Sequence, residues 1–249
     1  MSENTYFKFS NSVVVVPLLA VLSIWTVYWL EVSFRFNLNQ YGIYPRTLVG
    51  LRGVLFGPFI HGSVGHLYNN TIPLALLLAA LVYFYPKIWM RVLCWGILLS
   101  GILTWIIGRP SYHIGASGVI YILASFIFFK GVFTKYYRLV AVSMIIVFIY
   151  GGMLWFIFPI QEDISWEGHL SGFIAGLLFA IFLKAQIPVP SKFKWEAEDY
   201  NEEEDEFLRH FDKDGNFIED TGETQREEDS VKVTYHFKES QEPRGKNRD

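Results

Sequence analysis

Two polar residues, Ser117 and His169, each stand at the start of an apolar segment and could together hydrolyse a bond. Ser117 belongs to the tetrad Gly115-Ala116-Ser117-Gly118, and His169 opens a later apolar segment. A serine hydroxyl is a poor nucleophile until a base takes its proton, and a neutral imidazole is the usual base near neutral pH. The pair therefore predicts a hydrolytic centre with Ser117 as nucleophile and His169 as base.

Two further residues could stabilise the oxyanion that forms when a hydroxyl attacks a carbonyl. His66 and Asn70 are four apart in the sequence, so they share one face of a helix. A ring N–H of His66 and the amide of Asn70 could supply side-chain donors. The backbone N–H of Ser117 could supply a third, because the first amides of a helix lack partners within it.

The base, His169, has no obvious carboxylate partner. Glu167 is two residues away and would point off the other side of a helix, so a Ser–His dyad is predicted rather than a triad. Tyr121, four residues after Ser117, could instead hold the imidazole by packing. Gly172 and Gly176 follow His169 at small-xxx-small spacing, which predicts close packing on the helix that carries Gly115 and Gly118.

The elements that must position these residues are membrane helices. The chain has 249 residues, 52% of them hydrophobic, and a mean hydropathy of +0.28. With its flanks, each apolar block is long enough to cross a bilayer, which takes about 20 helical residues or fewer where the bilayer thins. The pattern predicts an all-α membrane protein with a bundle of six transmembrane helices. The blocks lie at residues 13–30, 67–85, 92–107, 115–129, 139–158 and 169–183.

Basic residues in the short loops predict how the helices are oriented. They follow the second, fourth and sixth blocks, whereas the loop before the sixth block holds three acidic residues and no basic one. The positive-inside rule then places both termini in the cytoplasm. The second, fourth and sixth helices would all start at the outer face, so His66, Ser117 and His169 are predicted to lie at similar depth.

Charge divides the chain into two parts. Residues 187–249 carry nineteen acidic and ten basic residues, a net charge of −9, whereas the remainder carries five acidic and eleven basic residues, a net charge of +6. We expect a cytoplasmic N-terminus over residues 1–12, a membrane domain over residues 13–187 and an acidic, partly disordered cytoplasmic tail over residues 188–249. A single cysteine excludes an intrachain disulfide.

Taken together, these motifs resemble those of the rhomboid intramembrane serine proteases. The resemblance covers roughly residues 44–183. Gly-x-Ser-Gly alone would be a weak signal, because small residues are common at helix contacts in membranes, but three motifs in order on the expected helices are specific. The matching residues are His61, His66 and Asn70; Gly115, Ala116, Ser117, Gly118 and Tyr121; and His169, Gly172 and Gly176.

The resemblance implies a fold, an activity and a role for each matching residue. It implies a six-helix rhomboid bundle that cuts single-spanning membrane proteins near the outer face, with the loop 159–167 as a lid and lateral entry of substrate around the fifth helix. Many members carry a Trp-Arg pair in the first loop, and this chain has none. The implied roles are nucleophile for Ser117, base for His169, oxyanion hole for His66 and Asn70, and support for Tyr121, Gly115, Gly118 and Gly172.

Two other classes of function compete with proteolysis. A catalytically inactive rhomboid-like protein could bind client transmembrane helices, although the chain keeps both Ser117 and His169. A metal site for transport or metalloproteolysis could use His61, His66, His113 and His169. Against it, the chain has no His-Glu-x-x-His motif, and no acidic residue is predicted within a helix. The same lack argues against an aspartyl protease; His61 and His113 are expected to be structural loop residues.

The same patterns predict the cofactors, partners and location of the protein. We expect no metal or other cofactor. The expected partners are the lipid bilayer and single-spanning membrane proteins as substrates. No binding of nucleic acid is expected, and the sequence does not indicate a partner for the tail. With six helices and no organelle-targeting presequence, the expected location is a bacterial inner membrane.

Overall fold

The fold of the described residues is all-helical. The computed structural model describes residues 9–149, 155–161, 164–184, 193, 195, 199–205 and 207–218. The α-helices found there are α1 (Ser12–Phe34), α2 (Gly53–Phe56), α3 (Val64–Phe84), α4 (Trp89–Ile107), α5 (Ser117–Phe133), α6 (Tyr137–Ile149) and α7 (Trp166–Phe182). Short 3₁₀ helices cover Asn39–Tyr41, Val49–Arg52, Gly57–Phe59, Trp155–Ile157, Glu202–Glu204 and Leu208–His210.

Among the described residues, each of the six predicted apolar blocks overlaps one α-helix of 13 to 23 residues, and α2 is an additional single turn in the first loop. By length and composition, α1, α3 and α4 are each able to cross a membrane. Helices α5, α6 and α7 are also apolar but shorter, with 17, 13 and 17 residues. These apolar helices are those of an integral, multi-pass membrane protein.

Helix α5 lies at the centre of the bundle. Nine consecutive residues, 119–127, are buried, which is more than one face of a helix can account for. Helices α3, α4, α6 and α7 all pack against it. Ser117 is the first residue of this central helix, so it lies at one end of the core.

Helix α7 packs against α5 with almost no side chain between the two backbones. A Cβ atom added to Gly172 would lie 2.3 Å from the carbonyl oxygen of Gly118, and one added to Gly176 would lie 2.4 Å from that of Ile122. Both distances are too short for any residue but glycine. The close approach predicted from the small-xxx-small spacing is therefore confirmed.

The first loop, between α1 and α3, is fastened to the end of α4. The Nη1 atom of Arg46 donates to the carbonyl oxygens of Ile106 and Gly108, at 3.0 and 2.8 Å. Trp105 Nε1 donates in the other direction, to the carbonyl of Thr47 at 2.9 Å. The last carbonyls of a helix lack intrahelical partners and carry partial negative charge, which suits a guanidinium. Arg46 thus secures this loop in a chain that has no Trp-Arg pair.

The chain divides into two compact units, Met1–Pro190 and Ser191–Asp249. In the second unit, the carboxylate of Asp212 accepts hydrogen bonds from the backbone N–H groups of Asp214 and Asn216, at 2.9 and 2.8 Å, and closes a turn. Residues 219–249 and most of residues 185–198 lie outside the described residues. The partial disorder of the tail and the domain limits therefore stay predictions.

Candidate active site

Ser117 begins α5 directly after a loop that is held by backbone hydrogen bonds. Ile43 and His113 exchange two such bonds, at 3.0 and 2.9 Å, and the N–H of Gly115 donates to the carbonyl of Gly57 at 2.9 Å. The first amides of a helix have no acceptor within it, so the N–H of Ser117 is available to a ligand. Ser117 is half-buried and lines a cavity of about 50 Å³.

Gly115 brings two of the predicted oxyanion residues against the backbone that leads to Ser117. Its φ angle is +107°, a conformation that side-chain-bearing residues rarely adopt. A Cβ atom at this position would lie 2.6 Å from Nε2 of His66 and 3.6 Å from Nδ2 of Asn70. Glycine therefore allows both side chains to approach the segment two residues before the predicted nucleophile.

Helix α3 positions His66 and Asn70 near its N-terminus. The hydroxyl of Ser63 accepts a hydrogen bond from the N–H of His66 at 3.1 Å and caps the helix. Asn70 follows one turn later; it is 4% exposed, and its Nδ2 atom has no hydrogen-bond partner. An unpaired buried donor costs free energy, which is tolerable where an acceptor arrives during function.

His169 is the fourth residue of α7 and is held on two sides. Its Nδ1 atom lies 2.9 Å from the carbonyl oxygen of Phe156, and its ring stacks on Tyr121, with centroids 4.4 Å apart and planes 18° apart. A carbonyl oxygen can only accept, so Nδ1 carries the proton and Nε2 keeps its lone pair. The predicted packing of Tyr121 on the imidazole is present, and the orienting group is a backbone carbonyl.

The packing of α5 on α7 brings the neighbourhoods of Ser117 and His169 together. Tyr121, which contacts His169, lies one turn after Ser117 on α5. A Cβ atom on Gly118 would be 3.5 Å from the carbonyl oxygen of Gly168, and Ser117 and Gly168 line the same cavity. Gly118, which follows the predicted nucleophile, and Gly168, which precedes the predicted base, thus meet across one helix contact.

His61 is a buried structural residue, as expected. Its Nδ1–H donates to the carbonyl of Phe59 at 3.2 Å, and its Nε2 accepts from the N–H of Ala116 at 3.4 Å. The pKa of His61 is lowered to about 4, mainly by burial and also by the nearby His66, while the bond to Phe59 opposes the shift. A neutral ring with one donor and one acceptor fits both contacts.

His113 also serves the loop. Its Nε2 lies 3.1 Å from the carbonyl of Arg109, and its Nδ1 lies 2.5 Å from the hydroxyl of Ser165, which caps α7. Burial lowers the pKa of His113, while the bond to Arg109 opposes the shift. Among the described residues, no group of three or more His, Cys, Asp or Glu side chains is placed to hold a metal ion.

Glu167 corrects one expectation from the sequence. Helix α7 begins at Trp166, so Glu167 lies in its first turn and is 1% exposed, although no acidic residue was predicted within a helix. Its Oε1 atom accepts a hydrogen bond from the N–H of Arg109 at 3.0 Å. A serine cap followed by an acidic residue is typical of a helix N-terminus, so Ser165 and Glu167 could have indicated this start.

A second cavity, of about 230 Å³, lies beside Tyr121 between α5, α6 and α7. It is lined mainly by apolar and aromatic side chains, among them Phe128, Met144 and Phe173. The contact between α5 and α6 is therefore looser than the glycine contact between α5 and α7.

Comparison with known proteins finds a matching family model and several similar proteins. A family model described as Rhomboid domain matches residues 48–186. An uncharacterized protein of Mycobacterium bovis is 37% identical over 160 residues, which cover 60% of this chain and 66% of that protein. An uncharacterized protein of Mycobacterium leprae is 34% identical over 162 residues, which cover 61% of this chain and 63% of that protein. The chain spans just under two thirds of the length of these relatives.

Proposed function

The chain belongs to the rhomboid family, and on that premise we propose that it is an intramembrane serine endopeptidase with a Ser117–His169 dyad. The observation that carries the proposal is the orientation of His169. Its Nδ1 is occupied by the carbonyl of Phe156 and its ring is stacked on Tyr121, one turn from Ser117. This arrangement leaves Nε2 as the ring nitrogen that can take a proton.

The reaction follows from these positions. Nε2 of His169 takes the hydroxyl proton of Ser117 as Oγ attacks the carbonyl carbon of the scissile peptide, and the carbonyl electrons move to the oxygen. The resulting oxyanion accepts hydrogen bonds from Asn70, from His66 and from the N–H of Ser117. The protonated imidazole then donates to the leaving amine, and a water activated by His169 hydrolyses the acyl-enzyme.

The unpaired amide of Asn70 supports this assignment of the oxyanion hole. Its Nδ2 atom is buried and has no partner, and it lies beside the glycine that precedes the nucleophile by two residues. An oxyanion at the start of α5 would supply the missing acceptor and would face the positive end of the helix dipole.

In the membrane, all six long helices would span the bilayer with both termini in the cytoplasm. Helices α3, α5 and α7 would then start at the outer face, and single-spanning substrates would be cut there. The loop 159–167 would cover the site, although residues 162 and 163 lie outside the described residues. The apolar cavity between α5 and α6 supports entry of the substrate beside α6. A bacterial inner membrane would be the setting.

The proposal is tested by cleavage of a fluorescent transmembrane substrate in liposomes. Wild type is compared with Ser117→Ala and His169→Ala, and each is checked for folding by circular dichroism. Each substitution is expected to lower kcat by roughly a millionfold, which is below detection. Ser171→Ala is the matched control, because Ser171 lies on α7, is fully buried and has a hydroxyl without a hydrogen-bond partner.

A fluorophosphonate probe for activated serines separates the alternatives. Cleavage by wild type and Ser171→Ala, together with labelling that disappears in Ser117→Ala, would support the dyad. Equal cleavage by all four proteins would overturn the assignment. A folded wild type that neither cleaves nor labels would favour the non-catalytic protein that binds client helices.

A further inference from the structure

A set of polar contacts joins the loop that leads into Ser117 to the start of the helix that carries His169. It consists of Arg109 and His113 in the loop, and Ser165 and Glu167 at the start of α7; we call it the polar tie. None of these residues belongs to the proposed dyad or oxyanion hole. Three of its hydrogen bonds, from Arg109 to Glu167, from Arg109 to Ile164 and between His113 and Ser165, join residues more than fifty positions apart in the sequence.

Glu167 holds the loop at Arg109 through the backbone and the side chain. Its Oε1 accepts the backbone N–H of Arg109 at 3.0 Å and lies 3.7 Å from Nε of the same residue. The guanidinium also reaches back: its Nη2 donates to the carbonyl of Ile164 at 2.6 Å, just before α7. Arg109 is therefore held at both its backbone and its side chain.

His113 and Ser165 form the second half of the polar tie, and their donors and acceptors match. Nε2–H of His113 donates to the carbonyl of Arg109, so Nδ1 accepts from the hydroxyl of Ser165. The same hydroxyl oxygen accepts the N–H of Gly168 at 3.2 Å. The N-terminal cap of α7 is thus bonded directly to His113, three residues before the loop ends at Ala116.

The position of the polar tie relates it to the proposed chemistry. Glu167 precedes His169 by two residues, and His113 precedes Ser117 by four. The carboxyl group is 1% exposed, so a substrate in the site does not touch it. Movement of the loop or of the first turn of α7 would change the distance between the two reacting side chains.

We propose that Glu167 is a positioning residue, which acts through Arg109 to hold Ser117 in register with His169. This inference rests on the proposed function. A displacement of about 1 Å between reacting groups can lower a rate by about 10²-fold. Because Glu167 does not contact the substrate, its loss lowers kcat and leaves KM unchanged.

The test uses the full-length protein in liposomes with Glu167→Met and Glu167→Gln. Methionine matches the length of glutamate but accepts no hydrogen bond, whereas glutamine keeps an acceptor for the N–H of Arg109. We expect kcat to fall by about 10²-fold in Glu167→Met and by clearly less in Glu167→Gln, with KM unchanged in both. Rescue by glutamine is the signature of the hydrogen bond.

The matched control is Glu31→Met. Glu31 also accepts a loop N–H with one oxygen, from Leu38 at 2.9 Å, and its other oxygen is likewise buried without a partner. It lies on α1, and among the described residues its only carboxylate hydrogen bond is to the N–H of Leu38, outside the proposed dyad, oxyanion hole and polar tie. We expect Glu31→Met to keep the wild-type kcat even if its thermal midpoint falls.

Amide hydrogen exchange measures the polar tie without relying on activity. We expect exchange across residues 109–116 to become about tenfold faster in Glu167→Met and to stay unchanged in Glu31→Met. Faster exchange with a wild-type kcat overturns the positioning role, and so do unchanged exchange or an equal loss of kcat in both methionine variants. If wild type itself neither cleaves nor labels, the proposed function fails. Amide hydrogen exchange in Glu167→Met then tests only whether Glu167 holds the loop. Faster exchange supports this role, and unchanged exchange overturns it.

Discussion

A backbone carbonyl, that of Phe156, orients the imidazole of His169 where a serine hydrolase often uses a carboxylate. The carbonyl fixes the tautomer equally well, because it accepts a hydrogen bond from Nδ1–H and leaves Nε2 as the nitrogen that would act as base. It would bring no negative charge to an imidazolium formed in the proposed reaction. Tyr121, stacked 4.4 Å away, offers its ring face to that cation instead.

The sequence motifs predicted the side chains at this site but not the group that orients the base. The side chains of a serine, two histidines and an asparagine can act in hydrolysis, so these residue types at helical spacing indicate that chemistry. A carbonyl belongs to every residue, so nothing in the identity of Phe156 indicated its contact with His169. The same holds for the polar tie, because Arg109 and Glu167 meet through folding of a loop that has no regular spacing.

Gly115 gives the sharpest prediction for a single residue. In Gly115→Ala, the new methyl group would lie 2.6 Å from the ring of His66, and the backbone would be strained by its φ of +107°. We expect kcat to fall by about 10²-fold, as expected for an oxyanion donor displaced from its place, while the helices stay folded. The measurement is cleavage of the fluorescent transmembrane substrate, with circular dichroism as the check on folding.

Gly65→Ala is the control for that prediction. It adds the same methyl group next to His66, but the nearest atom, Oγ of Ser63, is 4.0 Å away. Its activity is expected to match wild type. Equal losses in the two variants would show that this region tolerates no methyl group, and displacement of His66 from the proposed oxyanion hole would then not explain the loss in Gly115→Ala.

At the scale of helices, each predicted apolar block overlaps one apolar helix in the described part of the chain, but the ends of block and helix differ. Hydropathy marks where a helix is apolar, and polar first turns lie outside that signal. Helix α7 starts at Trp166 rather than at His169, and α3 starts at Val64 rather than at residue 67. The caps Ser63 and Ser165 carry the missing information, because each accepts a backbone N–H of the first turn.

Lys130 shows how one charged side chain can join two helices. It lies on α5 and is buried, and its Nζ donates to the carbonyls of Ala180 and Leu183 at the end of α7, at 3.0 and 2.5 Å. These carbonyl oxygens accept no hydrogen bond within the helix, and the positive charge of Lys130 offsets the partial negative charge at the C-terminal end of α7. The glycine contacts near Ser117 and the Lys130 contacts thus secure the opposite ends of the same helix pair.

Replacing Lys130 with methionine removes both bonds while keeping the apolar stem. We expect Lys130→Met to lower the free energy of unfolding by about 1.5–3 kcal/mol, the range for a hydrogen bond to a charged group. The measurement is the midpoint of thermal unfolding in detergent, followed by tryptophan fluorescence. Lys87→Met, at an exposed position, is expected to leave the midpoint unchanged. A Lys130→Met midpoint equal to that of wild type would contradict the capping role.

At the scale of the whole molecule, the site residues all belong to the first of the two compact units. Ser117, His169 and the residues around them lie within Met1–Pro190, and the matched family region ends at residue 186. The change near residue 187 from net positive to strongly acidic composition predicts a boundary between a membrane domain and a tail in water, and this boundary stays a prediction.

A chain that ends at Pro190 is therefore expected to cleave the fluorescent substrate with the kcat and KM of the full-length protein. All contacts described for the dyad, the oxyanion hole and the polar tie are made within it. The same truncation of Ser117→Ala serves as the inactive control. A folded but inactive truncated chain would show instead that the acidic tail takes part in catalysis.

The contact between α5 and α7 also orders events in time. The ribosome delivers α5 first, and α6 and the loops on either side must follow before α7 and its glycines can reach the backbone of α5. Until then the chain in the membrane holds Ser117 without its proposed base, His169. On the proposed function, the protein would therefore become able to cleave neighbouring membrane helices only when α7 has packed against α5.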